Sequence, residues 1–332
     1  VALEELAKAG PAVCFTAGIM GVWGGIPLSM YGTKEQQEEI LPKVVSGDMI
    51  FALAMTESGG GSDLLDNIRT TAVIDGDDFV ITGEKIFITA AHVADYIQVV
   101  CLTDPNAKKR SERFSLILVD PKQTDGIEIT PIKKMLIKSV GANIVAFNEV
   151  RVPRKNLIGE MHQAYRQLLT LLTAHKLLTA DDATGLAQAA YAEAFAHALE
   201  RKAYGKPIGF FQLNQQKLVD IETEIRAAKH LGYQAALKAD QGKEYYLEAL
   251  IAERYASEMA FRAATKSMEF FGGYGLTLDY NLERYFRESR QFITTPFTNE
   301  IAICEIAEEL GLPSSYRWET DRIRPGKLDK LL

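Results

Sequence analysis

Two glycine-rich loops and one basic helix end carry the residues that could bind an anionic ligand. Three consecutive glycines, 59–61, lie between Glu57 and Asp63, and the exposed N–H groups of such a tract can hold an anion or a flat ring. The segment 201–206, Arg-Lys-Ala-Tyr-Gly-Lys, offers positive charge for a phosphate. Taken singly, the glycine tract is more typical of a flexible turn. The basic segment is explained equally well as a helix C-terminus, where basic residues complement the dipole.

An aromatic ring, a hydroxyl group and a histidine extend this set. Phe87 and Thr89 end a strand-like run, where the ring could stack on a cofactor and the hydroxyl could hydrogen-bond to it. The break 270–275, Phe-Phe-Gly-Gly-Tyr-Gly, follows a helix and lacks dinucleotide-binding spacing. His175 lies among leucines, and its default interpretation is a core histidine. The sequence has no Ser/His/Asp, His-Glu-x-x-His or Walker pattern.

Composition limits the classes of protein that these residues can serve. The 332 residues allow about two domains at roughly 150 residues each. A net charge of −7 makes nucleic acid an unfavourable partner. The longest apolar stretch, 12–30, is interrupted by glycines and Pro27, so we predict no membrane span. Three scattered cysteines predict neither a disulfide framework nor a zinc site.

Three zones must position the candidate residues. Residues 1–49 read as helical, with Thr33 as an N-cap and Gln36 completing a capping box. Residues 50–155 read as β structure and include a hairpin around a Gly-Asp turn. Short spacing between the strands favours an antiparallel sheet or small barrel. Residues 156–332 read as long helices suited to an antiparallel bundle.

Taken in chain order, the motifs resemble those of the acyl-CoA dehydrogenase family of flavoproteins over essentially the whole chain. The matching segments are Met55–Asp63 (family Thr-Glu-Pro-x-Ala-Gly-Ser-Asp), Gly83–Thr89 (Gly-x-Lys-x-Trp-Ile-Thr), Arg201–Ile208 with Gln212 (Arg-x-x-Phe-Gly-x-x-[ILV], then Gln), Glu269–Gly275 (Gln-x-x-Gly-Gly-x-Gly) and Arg287–Arg290 (Arg-Asp-x-Arg). Phe87 replaces a tryptophan, and Glu269 replaces a glutamine. The glutamate puts an acid near a diphosphate.

The resemblance implies a mainly α fold: a helical N-terminal domain, a middle β-barrel domain and a C-terminal four-helix bundle. It also implies that several tens of N-terminal residues precede Val1 in the natural chain. The family's FAD site is shared between subunits, so we expect a homotetramer or a hetero-oligomer. We expect a cytoplasmic location, with the mitochondrial matrix as an alternative because the N-terminus is missing.

The resemblance also assigns residues to ligands. For FAD they are Met55, Thr56, Phe87, Thr89, Arg201, Tyr204, Gln212, Glu269, Gly272, Gly273, Thr298 and Glu300. For the acyl-CoA they are Ser62, Lys176, Thr295 and Pro296.

The catalytic base is where the chain departs from the family. The family's glutamate lies in a Tyr-Glu-Gly-Thr turn, which here is Thr295-Pro-Phe-Thr298. Pro296 supplies neither a carboxylate nor a backbone N–H. Other members place the glutamate on a bundle helix before an arginine, a position that here reads His175-Lys176. His175 is therefore predicted as the base. An altered substrate pose with an unassigned base and a non-catalytic chain remain open.

The predicted function is an FAD-dependent oxidoreductase acting on the α,β (or vinylogous) carbons of an acyl-CoA thioester. It would exchange electrons with electron-transferring flavoprotein, as a dehydrogenase or in reverse as a reductase. The alternatives are a repurposed, non-catalytic subunit of a hetero-oligomer and a non-dehydrogenating reaction such as elimination or hydroxylation. Asp181 and Asp182, beyond His175, are interpreted as a solvated helix face.

Overall fold

Helices form the first part of the chain in the computed structural model, which describes residues 1–313. They are α1 (Ala2–Ala9), α2 (Pro11–Ile19), a π-helical turn (Met20–Gly25), α3 (Ile26–Tyr31) and α4 (Lys34–Ser46). The predicted capping box is confirmed: Thr33 Oγ1 accepts from the Gln36 N–H at 3.2 Å, and Gln36 Oε1 accepts from the Thr33 N–H at 2.9 Å. Residues 314–332 of the predicted C-terminal bundle lie outside the described residues.

The helical run Pro11–Tyr31 corrects one prediction. The glycines and Pro27 do not interrupt it, because the π-helical turn continues α2 and Pro27 falls in the first turn of α3, where proline is tolerated. The run is long and apolar enough to cross a membrane, with a mean hydropathy of 1.5. A single such helix is weak evidence for a span, because the core helix of a soluble protein meets the same criterion; 41% of this window is buried in the structure.

A seven-stranded sheet follows in the described residues, in the order β1-β4-β2-β3-β7-β6, with β5 paired to β4. Its strands are β1 (Phe51–Ala54), β2 (Thr71–Asp75), β3 (Asp78–Thr89), β4 (Tyr96–Leu102), β5 (Phe114–Val119), β6 (Ile127–Ile132) and β7 (Ala142–Pro153). A short helix, α5 (Leu64–Asn67), lies between β1 and β2. The β2–β3 hairpin turns after Asp75, as predicted. The sheet is mostly antiparallel, but β4 pairs in parallel with β1 and β2.

Five long or medium helices complete the described chain: α6 (Ala164–Glu200), α7 (Gln212–Asp240), α8 (Tyr246–Glu269), α9 (Leu282–Ser289) and α10 (Asn299–Glu309). A short hairpin of two-residue strands, β8 (Lys202–Ala203) and β9 (Lys206–Pro207), separates α6 from α7. Small and branched side chains of α6, α7 and α8 form one core, and the inward faces of the strands form another.

Contacts divide the described chain into two compact units. The helical unit comprises residues 1–18, 135–137 and 174–313, and the sheet unit comprises residues 19–134 and 138–173. The predicted division at 49/50 and 155/156 stays a prediction, since it follows sequence zones and the two units follow packing.

Candidate active site

A buried ion pair anchors the glycine-rich loop of the sheet unit. Lys85 is fully buried on β3, and its Nζ lies 2.8 Å from Glu57 Oε1 and donates to the Met55 carbonyl at 3.1 Å. The Glu57 carboxylate also accepts from the backbone N–H groups of Arg69 and Thr70, at 2.8 and 2.9 Å. Both ends of the loop that carries Met55, Thr56 and Ser62 are therefore tied to one carboxylate.

The interactions within this pair favour the ionised form of the Glu57 carboxyl group. Burial acts to raise the pKa of Glu57, but the Lys85 charge and the hydrogen bonds from Lys85 and Thr70 outweigh it, so the pKa is lowered. Burial lowers the pKa of Lys85, and the Glu57 charge opposes that shift.

A bulge at the end of β3 presents Phe87. The β3–β7 register shifts between Lys85 and Ile88, and Phe87 adopts a φ of 60° with 62% of its surface exposed. Ile88 points the other way into the core, and Thr89 pairs with Ala142 at the strand end. Because the Ile86 N–H donates to the Thr56 carbonyl at 2.9 Å, the bulge and the glycine-rich loop are held together. An exposed aromatic ring in such a fixed position suits stacking on a flat ligand.

A cavity of about 590 Å³ opens in the helical unit, where α6, α7 and the end of α8 meet. Arg201, Glu269, Gly272 and Gly273 of the predicted set line it. A Cβ on either glycine would point into open space, so both backbones border room for a ligand. Four predicted FAD residues of the helical unit are not in the lining: Tyr204 is 97% exposed on the β8–β9 hairpin, Gln212 begins α7, and Thr298 and Glu300 lie at the start of α10.

The lining residues that the sequence analysis missed include His197, Asn214 and Lys217. The His197 ring stacks on Phe271 with centroids 4.1 Å apart. Lys217 Nζ lies 2.5 Å from Glu269 Oε2, so the acid that replaces the family's glutamine is neutralised by a cation one helix away. The only sequence signal for Lys217 is its position on α7, five residues after Gln212.

The predicted base is deeply buried. His175 is 5% exposed, and its ring centroid lies 6.2 Å from that of Phe15. Burial, together with the Lys176 charge, lowers the pKa of His175 to about 3. An imidazole this weakly basic holds a proton poorly near neutral pH, which weighs against the predicted role.

Lys176, the next residue on α6, faces a different element. Its Nζ lies 3.2 Å from Glu253 Oε2 on α8, and both side chains are about 2% exposed. The same ammonium lies 5.1 Å from the ring centroid of Phe297, in the turn that carries Thr295 and Pro296. Thr298 is the N-cap residue of α10, and Glu300 lies in the first turn of that helix.

The solvated-face interpretation of Asp182 is wrong. Its side chain is 1% exposed and interacts with the Cys14 thiol, while Asp181 is half-buried. Burial and the nearby Glu288 and Asp181 charges raise the pKa of Asp182 well above its usual value. The reason is that this part of α6 is buried on most sides, so it has no continuous polar face.

The environment of His175 predicts a pH-dependent stability. Because the unfolded chain protonates this imidazole below about pH 6.5 and the native chain only near pH 3, the unfolding free energy should rise with pH in that window. The slope from this one group is at most roughly 1.4 kcal/mol per pH unit. Urea unfolding at several pH values would show a shallower slope for His175→Gln. His230→Gln, at an exposed position of α7, should keep the wild-type slope, and an unchanged slope in His175→Gln would contradict the assignment.

Comparisons with known proteins identify the family. The acyl-CoA dehydrogenase N-terminal, middle and C-terminal domain models match residues 1–48, 52–150 and 165–311. A probable acyl-CoA dehydrogenase of Bacillus subtilis is 34% identical over 93% of this chain and 81% of its own length. A caffeyl-CoA reductase–Etf complex subunit of Acetobacterium woodii is 33% identical over 91% and 79%. The butyryl-CoA dehydrogenase structure from Megasphaera elsdenii superimposes with a TM-score of 0.88, at 31% identity over 93% and 80%.

The chain belongs to the acyl-CoA dehydrogenase family. The predicted fold class, the FAD cofactor and the class of enzyme, an oxidoreductase acting on acyl-CoA with electron-transferring flavoprotein, are confirmed. Tetramers are typical of the family. The relatives named above are bacterial, and none supports the mitochondrial alternative.

Proposed function

We propose that this chain moves two hydrogens between the α and β carbons of an acyl-CoA thioester and FAD, in the cytoplasm, within an oligomer that completes its FAD sites. The observation that carries the proposal is the cavity of about 590 Å³, because it combines Arg201, a stacked aromatic pair and two side-chain-free glycines. That combination suits the charged diphosphate and flat adenine of a dinucleotide.

The residues present fit FAD in two places. In the helical unit, Arg201 supplies positive charge for the diphosphate, Gly272 and Gly273 allow close backbone approach, and Glu269 is held by Lys217. In the sheet unit, Met55, Thr56, Phe87 and Thr89 would lie against the isoalloxazine ring. When bound, FAD supplies the hydride chemistry, which side chains lack.

Four further FAD assignments rest on the family motif alone. The almost fully exposed Tyr204, together with Gln212, Thr298 and Glu300, would contribute to a site shared with a neighbouring subunit.

The acyl-CoA would meet Ser62, Lys176, Thr295 and Pro296. Because Pro296 has no N–H, the thioester oxygen loses a hydrogen-bond donor that the family usually offers at this position. Sequence alone predicts His175 as the base, with an unassigned residue as the alternative. A chain that binds FAD and acyl-CoA without catalysis is the competing proposal, since position 296 lacks the carboxylate.

Product analysis separates these proposals. The FAD-loaded protein would be incubated with electron-transferring flavoprotein and a panel of straight-chain, branched and cyclic acyl-CoA esters. We expect one class to lose two hydrogen atoms by mass spectrometry while the acceptor flavoprotein is reduced. Loss or gain of water or oxygen would indicate elimination or hydroxylation. An unchanged panel, tested in both reaction directions with FAD bound, would indicate the non-catalytic subunit.

A further inference from the structure

The reaction proposed above requires a group that takes up the α-proton, and one buried carboxylate lies beside the two positions where the family places its base. Neither sequence position expected to hold a base carries an acid: residue 296 is proline, and residue 175 is histidine. The neighbours of these two positions are in contact, because Lys176 Nζ lies 5.1 Å from the ring centroid of Phe297. At that junction a third element, α8, contributes Glu253.

Glu253 is buried and only half satisfied. Its Oε2 pairs with Lys176 Nζ at 3.2 Å, whereas no hydrogen-bond donor within residues 1–313 reaches Oε1. A buried carboxylate oxygen without a donor is costly, and such groups in native structures often have a functional reason. Burial raises the pKa of Glu253, although the Lys176 charge opposes the shift. A carboxyl group with a raised pKa is better matched to proton transfer near neutral pH.

Two hydrogen bonds hold the turn of Phe297 against the same face of α8. Ser257, one helical turn after Glu253, exchanges hydrogen bonds of 3.1 and 3.2 Å with the buried Asn299 side chain. Asn299 begins α10, two residues after Phe297. The carboxylate, the ammonium and the turn of residues 294–298 are therefore positioned as one packed cluster.

We propose that Glu253 is the catalytic residue that takes up the α-proton of the acyl-CoA and that Lys176 positions its carboxylate. This inference rests on the proposed function. The α C–H bond breaks and an O–H bond forms at Oε1, while its electron pair stays on the substrate as the enolate. The α,β double bond would form as the β-hydrogen leaves with its electron pair, for which bound FAD would supply the acceptor chemistry. Reduction runs through the same atoms in reverse.

Lys176 has a second consequence in this scheme. Once Glu253 takes up the proton, the ammonium loses its counter-charge just as negative charge develops on the enolate. A fixed cation in a water-poor site stabilises such charge strongly. The Lys176 ammonium thereby offsets the loss of the backbone hydrogen-bond donor that proline cannot supply at position 296. His175 is less suited to this role, because its ring is directed toward Phe15.

The test uses the FAD-loaded protein and the acyl-CoA that reduces the wild type. Glu253→Gln should slow anaerobic flavin reduction, and solvent-deuterium exchange at the α-carbon, by about 100- to 10,000-fold. FAD content and acyl-CoA affinity should stay at wild-type levels. Glu248→Gln, on the same helix as Glu253, breaks a half-buried pair with Lys238 of α7; it is the matched control and should keep the wild-type rate.

The remaining outcomes are equally decisive. Exchange in Glu253→Gln within about threefold of wild type would overturn the inference, and loss of exchange in His175→Gln alone would assign the base to His175. Lys176→Met should lower the exchange rate at the α-carbon. Lys176→Arg, which keeps the positive charge, should lower that rate less than Lys176→Met does. Should Glu253→Gln fail to fold, the double variant Lys176→Met/Glu253→Gln, which leaves no unpaired charge, carries the same expected loss. A wild type that no acyl-CoA reduces contradicts the proposed function instead.

Discussion

Glu57→Ala is expected to lower the free energy of unfolding by about 3–5 kcal/mol, the usual cost of breaking a buried ion pair by removing one partner. Among residues 1–313, the fully buried Lys85 would keep only the Met55 carbonyl as a partner. The N–H groups of Arg69 and Thr70 would also lose their acceptor. Urea unfolding near neutral pH measures the effect.

The matched control for this prediction lies on the same strand. Glu84→Ala changes an exposed side chain of β3, so its unfolding free energy should stay within about 0.5 kcal/mol of wild type. Because the unpaired Lys85 can lose its proton, the deficit of Glu57→Ala should shrink as the pH rises toward the pKa of ordinary lysine. Equal losses in both variants would show that the ion pair does not anchor the glycine-rich loop.

A comparably large effect is expected at the Lys176–Glu253 pair. Glu253→Leu should cost about 3–5 kcal/mol, because it strands a buried ammonium. Lys176→Met should cost less, since Glu253 can take up a proton and become neutral. The double variant Lys176→Met/Glu253→Leu should recover most of the loss, since apolar side chains of similar size often replace buried pairs at little cost.

A double-mutant cycle in urea measures this coupling. The half-buried pair of Lys238 and Glu248 is the control cycle, with an expected coupling of about 0–1 kcal/mol. Strictly additive losses at Lys176 and Glu253 would contradict the pairing on which the proposed proton transfer depends.

Local chemistry made much of the fold predictable. The capping box at Thr33 and the hairpin after Asp75 depend on residues close in sequence, and both are present. The parallel pairing of β1 with β4 was missed, because it joins Phe51 to Tyr96 across 45 residues and leaves no local signal.

The candidate site was likewise predictable where its residues form local sequence motifs and unpredictable where they depend on contacts with distant residues. Its ordered motifs identified the family, since their residue types and order survive in the sequence. Lys217 and Glu253 were not predicted as site residues, because the role of each depends on an ion-pair partner on another helix. Lys217 pairs with Glu269, and Glu253 pairs with Lys176. Asp182 was misjudged for a related reason. Two adjacent acids favour solvent in isolation, and only the packing of α6 buries one of them beside Cys14.

An anaerobic visible spectrum of the FAD-loaded protein, titrated with the acyl-CoA panel, tests the central claim most directly. The account predicts that one class of ester bleaches the oxidised-flavin band at roughly 450 nm, because bound FAD would supply the hydride-accepting chemistry. The same band should return when electron-transferring flavoprotein is added. A band that persists with every saturated ester, together with a reduced flavin that no enoyl-CoA reoxidises, would contradict the account and leave a flavin-binding subunit without this activity.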